Sequence, residues 1–263
     1  MIAVVIPTFK TGAYFESCLR SLEAQTLPKS MFCVYVALNG PEEPYRSYVG
    51  SLLSEFSFNY EFFYLKEPGV SGARNLLIEE SVEPFVCFVD DDDVLSAGYL
   101  ESLLQVSDEE TIGVSNVKAF SISPDLAFPN YIGRSYLRLN DTEGSLYRSR
   151  RYFSSPWAKL IHRSIIGDFR FDVNLSKGED AVFMAEISPS VKSVQKASPE
   201  VVYYVRERPN SASRRKPSKI EEVKRFFYIE MLYSKMLVSS EYNKLFIITR
   251  IVATLLQLKK GLE

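Results

Sequence analysis

Short apolar runs alternate with stretches of helical periodicity through the first half of the chain. Runs rich in β-branched and aromatic residues predict strands at residues 2–7, 32–38, 60–65 and 84–89. Between them, the spacing of apolar positions predicts helices at residues 13–25, 45–56 and 73–81. Strands that are continuously apolar, rather than alternating, are typical of a parallel sheet covered on both faces. The pattern therefore predicts an α/β, doubly wound architecture with right-handed crossovers.

The second half of the chain is less regular. It predicts strands at residues 111–122, 157–161 and 201–205, and a short helix at 180–187. Two amphipathic helices follow from residue 218 onward. We therefore predict one domain over residues 1–217, with halves at 1–110 and 111–217, and a C-terminal helical extension over 218–263.

The last apolar run, residues 245–258, raises the question of membrane contact. A helix that spans a bilayer needs about 20 apolar residues, whereas this run is shorter and contains Arg250. We expect a helix that packs on the domain or on a second copy in a homodimer. A helix that lies on a membrane surface, in peripheral association, is the alternative.

Composition limits the class of protein and its partners. The 263 residues are 46% hydrophobic and 24% charged, which is typical of a globular protein, and the net charge of −2 offers no basic field for nucleic acid. The cysteines, Cys18, Cys33 and Cys87, have no metal-binding spacing, and the single histidine, His162, excludes a multi-histidine metal site. Because the chain opens on a strand-like run without a basic signal-peptide start, we expect a cytoplasmic protein, at the inner membrane face if the last helix lies there.

The most informative segment is the run of four aspartates at residues 90–93, directly after a predicted buried strand. In an extended chain Asp90 and Asp92 would project to the same side. Two hard oxygen donors suit Mg²⁺ or Mn²⁺ when substrate phosphates complete the shell. An acidic turn that caps the next helix is the structural alternative. The glycine-rich nucleotide motifs G-x-G-x-x-G and G-x-x-x-x-G-K-[ST] are both missing.

Five segments, in order, resemble the motifs of the family 2 glycosyltransferases. They are VVIPTFK (4–10), QT (25–26), GVSGARN (69–75), FVDDDD (88–93), and FD with KGED (171–172 and 177–180). The resemblance covers about residues 1–215. It implies the GT-A fold, a Rossmann-like and mostly parallel sheet flanked by helices, with residues 1–110 as the nucleotide-binding half and 111–217 as the acceptor-binding half.

The resemblance also implies roles for individual residues. It assigns Asp180 as the general base that deprotonates the acceptor, and Asp92 as the direct metal ligand, together with Asp90. It assigns a set of residues to the nucleotide-sugar donor: Pro7, Thr8, Phe9, Arg74, Asp90, Asp91 and Asp93.

One segment departs from the family pattern. Relatives carry an aspartate that recognises the base just before the turn that follows the second strand, where this chain has Leu38. We expect Asn39 to take over that contact through its amide, or Glu42 to reach into the pocket of the nucleotide base. This segment leaves the identity of the nucleotide base open.

Several further residues are candidates on the acceptor side and around the donor. Trp157 and Glu179 lie in segments that border the acceptor in relatives; a lone tryptophan can instead be a core residue. One basic cluster comprises Arg148, Arg150 and Arg151. A second comprises Arg206, Arg208, Arg214, Arg215 and Lys216, and it is either a lid that grips the diphosphate, with Ser211 or Ser213, or a plain surface loop.

The sequence thus predicts an inverting, Mn²⁺- or Mg²⁺-assisted glycosyltransferase. It would move a sugar from a nucleotide-diphosphate donor, expected to be a UDP-sugar, to a hydroxyl of a glycan or lipid-linked glycan. Two other functions remain open at this point. One is a phosphatase of the haloacid dehalogenase type, with Asp90 as nucleophile and Asp92 as acid; the other is a non-catalytic protein that binds nucleotide or glycan.

Overall fold

Four parallel strands form one side of the main sheet, as the apolar runs predict. The computed structural model describes residues 1–208 and 218–262. The strands are β1 (Ile2–Thr8), β2 (Phe32–Asn39), β3 (Asn59–Leu65) and β4 (Phe85–Phe88), in the order β3-β2-β1-β4. Every residue of β1 is buried, which accounts for its unbroken apolar sequence.

Three helices connect these strands: α1 (Ala13–Glu23), α2 (Tyr45–Leu53) and α3 (Val70–Glu80). Helix α1 buries Phe15, Cys18, Leu19 and Leu22 at helical spacing. Helix α3 begins three residues before the predicted start. Gly69 provides its N-cap at φ +157, a conformation that favours glycine.

The second half of the chain adds shorter elements. They are β5 (Val94–Leu95), α4 (Tyr99–Gln105), β6 (Thr111–Val114), β7 (Asn116–Phe120), β8 (Phe128–Pro129), α5 (Tyr131–Tyr136), β9 (Thr142–Glu143), α6 (Leu146–Ser149), β10 (Lys159–His162), α7 (Arg163–Ile166), α8 (Glu179–Glu186), β11 (Ser193–Lys196) and β12 (Val202–Arg206). Strands β10, β6, β11 and β9 extend the main sheet beyond β4, and β5, β12, β7 and β8 form a second sheet in that order. Strand β10 runs antiparallel to both β4 and β6.

The single strand predicted over residues 111–122 is two strands in different sheets. The chain leaves the main sheet at Ser115, whose backbone N–H donates to the carbonyl of Ala158 at 3.1 Å. After it, β7 pairs in parallel with β12. A continuous apolar run does not reveal such a change of partner, because both strands are buried.

Two long helices close the described chain, α9 (Lys219–Val238) and α10 (Lys244–Leu262). Helix α9 buries Ile229, Tyr233 and Met236. Helix α10 packs the ring of Phe246 on Phe153, with centroids 5.2 Å apart. The opposite face of α10 exposes five apolar side chains: Leu245, Ile248, Val252, Leu255 and Leu256.

Within the described residues, no helix is both long and apolar enough to cross a bilayer. One face of α10 packs on the domain through Phe246, as expected. Peripheral membrane association and a homodimer through these helices both stay predictions, and so do the domain boundaries.

Two glycines provide a matched test of the packing. A Cβ on Gly133, in α5, would lie 2.0 Å from the carbonyl oxygen of Val117 in β7, whereas a Cβ on Gly50, in α2, meets no atom within 4 Å. We expect Gly133→Ala to lower the free energy of unfolding by about 1–3 kcal/mol, because the backbone must shift. Gly50→Ala should raise it by about 0.4–1 kcal/mol. Urea denaturation measures both, and equal effects would contradict the packing of α5 on β7.

Candidate active site

The four aspartates after β4 form a tight turn rather than an extended strand. The N–H of Asp93 donates to the carbonyl of Asp90 at 3.1 Å, so the extended conformation assumed from the sequence for Asp90 and Asp92 is not found. The helix-capping alternative is not supported either, because α4 begins at a Gly98 N-cap without a side-chain hydrogen bond.

Each aspartate of the turn has its own partner, and these partners offset the repulsion between the neighbouring carboxylates. Asp90 Oδ1 pairs with Arg74 at 3.0 Å, and Asp92 Oδ2 pairs with Arg208 at 2.6 Å. Asp91 Oδ2 accepts from the Thr8 hydroxyl at 2.5 Å, and Asp93 Oδ1 accepts from the N–H of Arg206 at 2.7 Å. The turn is therefore fixed by groups from β1, α3 and the end of β12.

The four aspartates bring negative charges close together in a buried turn, which is energetically unfavourable. Burial and the neighbouring carboxylates raise the pKa of Asp91 to about 7, although the Thr8 hydroxyl opposes the shift. Burial also raises the pKa values of Asp92 and Asp93. Because burial makes the ionised carboxylates of this turn unfavourable, the turn attracts cations, either from the protein or from solution.

Arg74 is the central charged group of the site. It is 3% exposed, and its Nη1 donates to Asp180 at 2.6 Å while its Nη2 donates to Asp90 at 3.0 Å. Burial alone would lower its pKa, but the two carboxylates raise it above the usual value. Arg74 was expected to approach the donor; the structure places it between the acidic turn and the predicted base.

The predicted base, Asp180, lies in the first turn of α8 with its side chain 23% exposed. Burial raises its pKa, and the Arg74 guanidinium opposes that shift. Its neighbour Glu179 is 9% exposed, and burial, followed by the charge of Asp180, raises the pKa of Glu179 to about 7. Both carboxylates of the KGED motif therefore face the same buried cation.

An aromatic cluster fixes α8 beside β4. The rings of Phe171 and Phe183 stack with centroids 3.9 Å apart, and each packs edge-on against Phe88, at 5.5 and 6.1 Å respectively. Because Phe88 is the last residue of β4 and lies two residues before Asp90, the cluster packs α8 close to the acidic turn.

The predicted nucleotide residues lie at the ends of β1 and β2. Pro7 and Thr8 are buried, and Phe9 is half exposed. Asn39 donates to the carbonyl of Thr8 at 2.8 Å and accepts from the N–H of Gly69 at 2.9 Å. Its amide thus ties three loops together. Its role towards the base stays a prediction, as do the donor-binding roles of the other three.

A cleft of about 320 Å³ opens at the starts of α1 and α2. It is lined by Thr11, Gly12, Ala13, Pro44, Tyr45 and Tyr48. Leu38 is fully buried, and Glu42 pairs with Arg46 on the surface; neither lines the cleft. Sequence reasoning missed this lining, because its residues come from two segments that are separated in sequence.

Trp157 packs against the hydrophobic core at the edge of the site. Its half-buried ring stacks on that of Tyr203 with centroids 5.1 Å apart and an interplanar angle of 12°. The Tyr203 hydroxyl accepts from the N–H of Asp90 at 3.1 Å. Tyr203 was not singled out from the sequence, where it is one of two tyrosines within an apolar strand.

The second basic cluster is described only in part. Arg206 Nε donates to the carbonyl of Asp92 at 2.9 Å, and its guanidinium lies over the rings of Tyr14 and Phe120. Arg206 and Arg208 therefore cover the acidic turn. The remaining members and the two serines considered with them lie outside the described residues: Arg214, Arg215, Lys216, Ser211 and Ser213.

The other basic cluster and the histidine have local partners. Arg148 pairs with Glu143 at 3.6 Å, Arg150 donates to the carbonyl of Tyr147, and Arg151 donates to that of Tyr131. His162 caps α7 through Nδ1, which accepts from the N–H of Ser164 at 3.2 Å. These contacts are structural.

The acidic turn offers few side-chain ligands for a divalent cation. Among residues 1–208 and 218–262, no three His, Cys, Asp or Glu side chains are arranged to coordinate an ion. Asp92 and Asp90 nevertheless supply hard oxygen atoms at one turn. Such a donor set fits Mn²⁺ or Mg²⁺ when the oxygens of a bound diphosphate complete the coordination shell.

Comparison with known proteins agrees with the fold and the motifs. The sequence profile of Glycosyl transferase family 2 matches residues 3–169. The succinoglycan biosynthesis protein ExoM of Rhizobium meliloti is 33% identical over 198 residues, which are 69% of this chain and 59% of that protein. Glycosyltransferase GlyA of Streptococcus pneumoniae is 28% identical over 192 residues, 68% of this chain and 27% of that protein. The chain thus spans from about a quarter to three fifths of these relatives.

A solved structure confirms the predicted fold class. The crystal structure of S. aureus TarS 1–349 in complex with UDP-GlcNAc superposes with a TM-score of 0.76 at 20% identity, covering 97% of this chain and 71% of that one. The GT-A architecture predicted from the motifs is therefore confirmed, with C-terminal helices present.

The ion pairs of Arg74 yield a quantitative expectation. In a double-mutant cycle of Arg74→Met and Asp180→Asn, we expect a coupling free energy of about 1–3 kcal/mol, because the pair is buried and hydrogen-bonded. A matched cycle on the exposed pair Arg170 and Glu79, whose atoms are 3.3 Å apart, should give less than about 1 kcal/mol. Urea denaturation of the variants measures both, and equal couplings would contradict a central role for Arg74.

Proposed function

The chain belongs to glycosyl transferase family 2, and on this premise we propose that it moves a sugar from a nucleotide-diphosphate donor to a hydroxyl group. One observation carries the proposal. Arg74 spans the distance between the acidic turn and Asp180, so donor-side carboxylates and a proton acceptor lie around one guanidinium. A UDP-sugar is the expected donor, supported by the TarS structure, whose bound ligand is UDP-GlcNAc.

The donor would lie along the carboxyl ends of β1, β2 and β4. Its base would occupy the cleft lined by Thr11 and Tyr45, and its diphosphate would point to the acidic turn. Ligands in open α/β sheets bind at this edge. Arg206 and Arg208 already contact the turn, where they can neutralise phosphate oxygens once Arg208 leaves Asp92.

Asp180 would act as the general base in a direct displacement. As the acceptor oxygen bonds to the anomeric carbon, its proton passes to Asp180 and the bond to the diphosphate oxygen breaks, which inverts that carbon. Arg74 occupies Oδ1 of Asp180, so we assign the proton to Oδ2. A carboxylate with a raised pKa is a better proton acceptor than one at the usual value.

A divalent cation would supply neutralisation of the diphosphate leaving group. Asp92 and Asp90 would hold it, because their oxygens lie at the turn where the diphosphate is expected. Trp157 would form one wall of the acceptor site, where an aromatic face can pack on a sugar ring. A glycan or lipid-linked glycan is the expected acceptor.

The two rival functions fare differently. A haloacid dehalogenase-type phosphatase carries its nucleophile after the first strand, whereas Asp90 follows β4 and is paired with Arg74; family membership removes this alternative. Binding without turnover is tested directly by replacing the base.

Replacement of Asp180 separates chemistry from binding. We expect Asp180→Asn to lower the transfer rate by about 100- to 10,000-fold, the usual contribution of a general base, while the affinity for UDP changes little. The exposed Asp125 provides the matched control, and Asp125→Asn should keep wild-type activity. Loss of UDP binding together with activity would instead assign Asp180 a structural role.

A thermal-shift panel tests the donor. Purified protein is heated with UDP, GDP, CDP or TDP, each with Mn²⁺ or with EDTA. A ligand at 100 times its Kd adds about 2.7 kcal/mol, and each kcal/mol raises the Tm by about 2–4 °C in a chain of this size. We expect a shift of several degrees with UDP and Mn²⁺. No shift with any nucleotide would refute the donor site.

The incomplete ligand set predicts cooperative metal binding. Titrated with Mn²⁺ alone, the protein should leave the electron paramagnetic resonance signal of the free ion nearly unchanged. Addition of UDP should remove that signal, because diphosphate completes the shell. Asp92→Asn should abolish the effect, whereas Asp125→Asn should preserve it. Tight Mn²⁺ binding without nucleotide would contradict the proposed coordination.

A further inference from the structure

Lys159, in β10, is a buried lysine that the mechanism does not use. It is 1% exposed and is among the largest fully buried side chains of the described residues. Its Nζ donates to the carbonyl of Ser155 at 2.6 Å and to the carbonyl of Trp157 at 2.7 Å. A buried amine is costly unless its N–H groups find acceptors, so these two bonds explain how it is tolerated.

The two hydrogen bonds join residues 155–157 to the side chain of Lys159, which follows them in the chain, and so close a short loop. Ala158, which links this loop to Lys159, has φ +61, in the left-handed region that residues with a Cβ rarely adopt. Lys159 therefore holds two carbonyl groups of the segment that directly precedes a strained residue. Without the amine, both carbonyls would be buried without their partner, and the loop would lose the contacts that offset its strain.

The loop determines where the Trp157 ring lies. Trp157 forms an isolated parallel bridge with Phe88, the last residue of β4. Its ring stacks on Tyr203, whose hydroxyl accepts from the N–H of Asp90. A chain of direct contacts thus runs from the Lys159 amine through Trp157 and Tyr203 to the acidic turn.

Lys159 also faces the base. Burial lowers the pKa of Lys159 to about 7, while the negative charge of Asp180 acts to raise it. Either protonation form carries at least two N–H donors, which matches the two carbonyls. The loop is therefore held at any pH at which the protein is folded.

We propose that Lys159 is a positioning residue of the transfer site: its amine fixes the Trp157 loop so that the indole, stacked on Tyr203, forms a rigid wall beside the acidic turn. This proposal rests on the proposed function, in which the indole of Trp157 is the surface on which the acceptor sugar packs. Lys159 itself touches no reacting atom.

The single tryptophan of the chain makes the loop directly observable. In Lys159→Met, which keeps an apolar stem and removes both N–H donors, the Trp157 emission should shift to longer wavelength and acrylamide should quench it more strongly. Lys159→Gln keeps two N–H donors, and its emission should lie closer to that of the wild type. If the methionine variant does not fold, Lys159→Gln decides the question: its side chain is one atom shorter, so its emission should still shift measurably to longer wavelength, and emission and quenching equal to those of the wild type would contradict the proposal.

Lys196 provides a matched control. Its Nζ donates to the carbonyl of Leu139 at 3.1 Å and lies 5.1 Å from the ring centroid of Tyr136, much as Lys159 lies over Tyr152 at 5.9 Å. Lys196→Met should leave the Trp157 emission and quenching as in the wild type, even if it lowers the Tm.

Kinetics then test the link to transfer. With the donor and acceptor pair that the wild type uses, Lys159→Met should lower kcat/KM for the acceptor by about 100-fold, the scale expected for a misplacement of 1 Å. The affinity for UDP should change much less. Lys159→Gln should recover part of the loss, and Lys196→Met should show none.

Three results would overturn the proposal: unchanged Trp157 emission and quenching in Lys159→Met, equal losses in Lys159→Met and Lys196→Met, or a lower UDP affinity with acceptor kinetics intact. The fluorescence comparison needs no substrate. If the wild type transfers no sugar, the proposed function fails, while the emission of the variants still decides whether Lys159 holds the loop.

Discussion

The structure of the site depends on one buried cation. Arg74 comes from α3, yet its guanidinium joins the turn after β4 to the first turn of α8, three elements that are distant in sequence. Removing one partner of such a pair would leave a buried charge without compensation, which costs far more than a surface pair gains. The Phe88–Phe171–Phe183 cluster supports the same arrangement with apolar contacts. Electrostatics and packing therefore constrain the same separation between the acidic turn and Asp180.

The acidic turn shows how a fold stabilises several neighbouring carboxylates. Four carboxylates are satisfied by four different groups, and one of these, Arg208, pairs with Oδ2 of Asp92. A ligand that binds at Asp92 must therefore compete with an ion pair of the protein. The free energy gained from the ligand is reduced by the ion pair that must be broken, and this favours a ligand that brings its own positive ion.

Much of the fold was readable in the sequence, since buried parallel strands leave long apolar runs and connecting helices leave a 3.6-residue period. The motifs also placed Asp90, Arg74 and Asp180 in one site. Three features were not readable. The change of sheet at Ser115, the turn at residues 90–93 and the left-handed Ala158 each depend on a hydrogen bond to a remote or neighbouring backbone group. Lys159 was hidden for the same reason, because a lysine in an apolar strand gives no indication of its acceptors.

Strand β10 has a consequence for recombining this protein with its relatives. It belongs to the second half of the chain, yet it lies between β4 and β6, pairing Ile161 with Val86 and Leu160 with Gly113. One hydrogen-bonded sheet therefore runs through both halves. Dividing the chain near residue 110 would separate two segments whose strands belong to the same sheet. A chimaera that takes its second half from another protein must inherit a β10 that fits beside β4. Exchanging loops therefore disturbs the sheet less than exchanging halves.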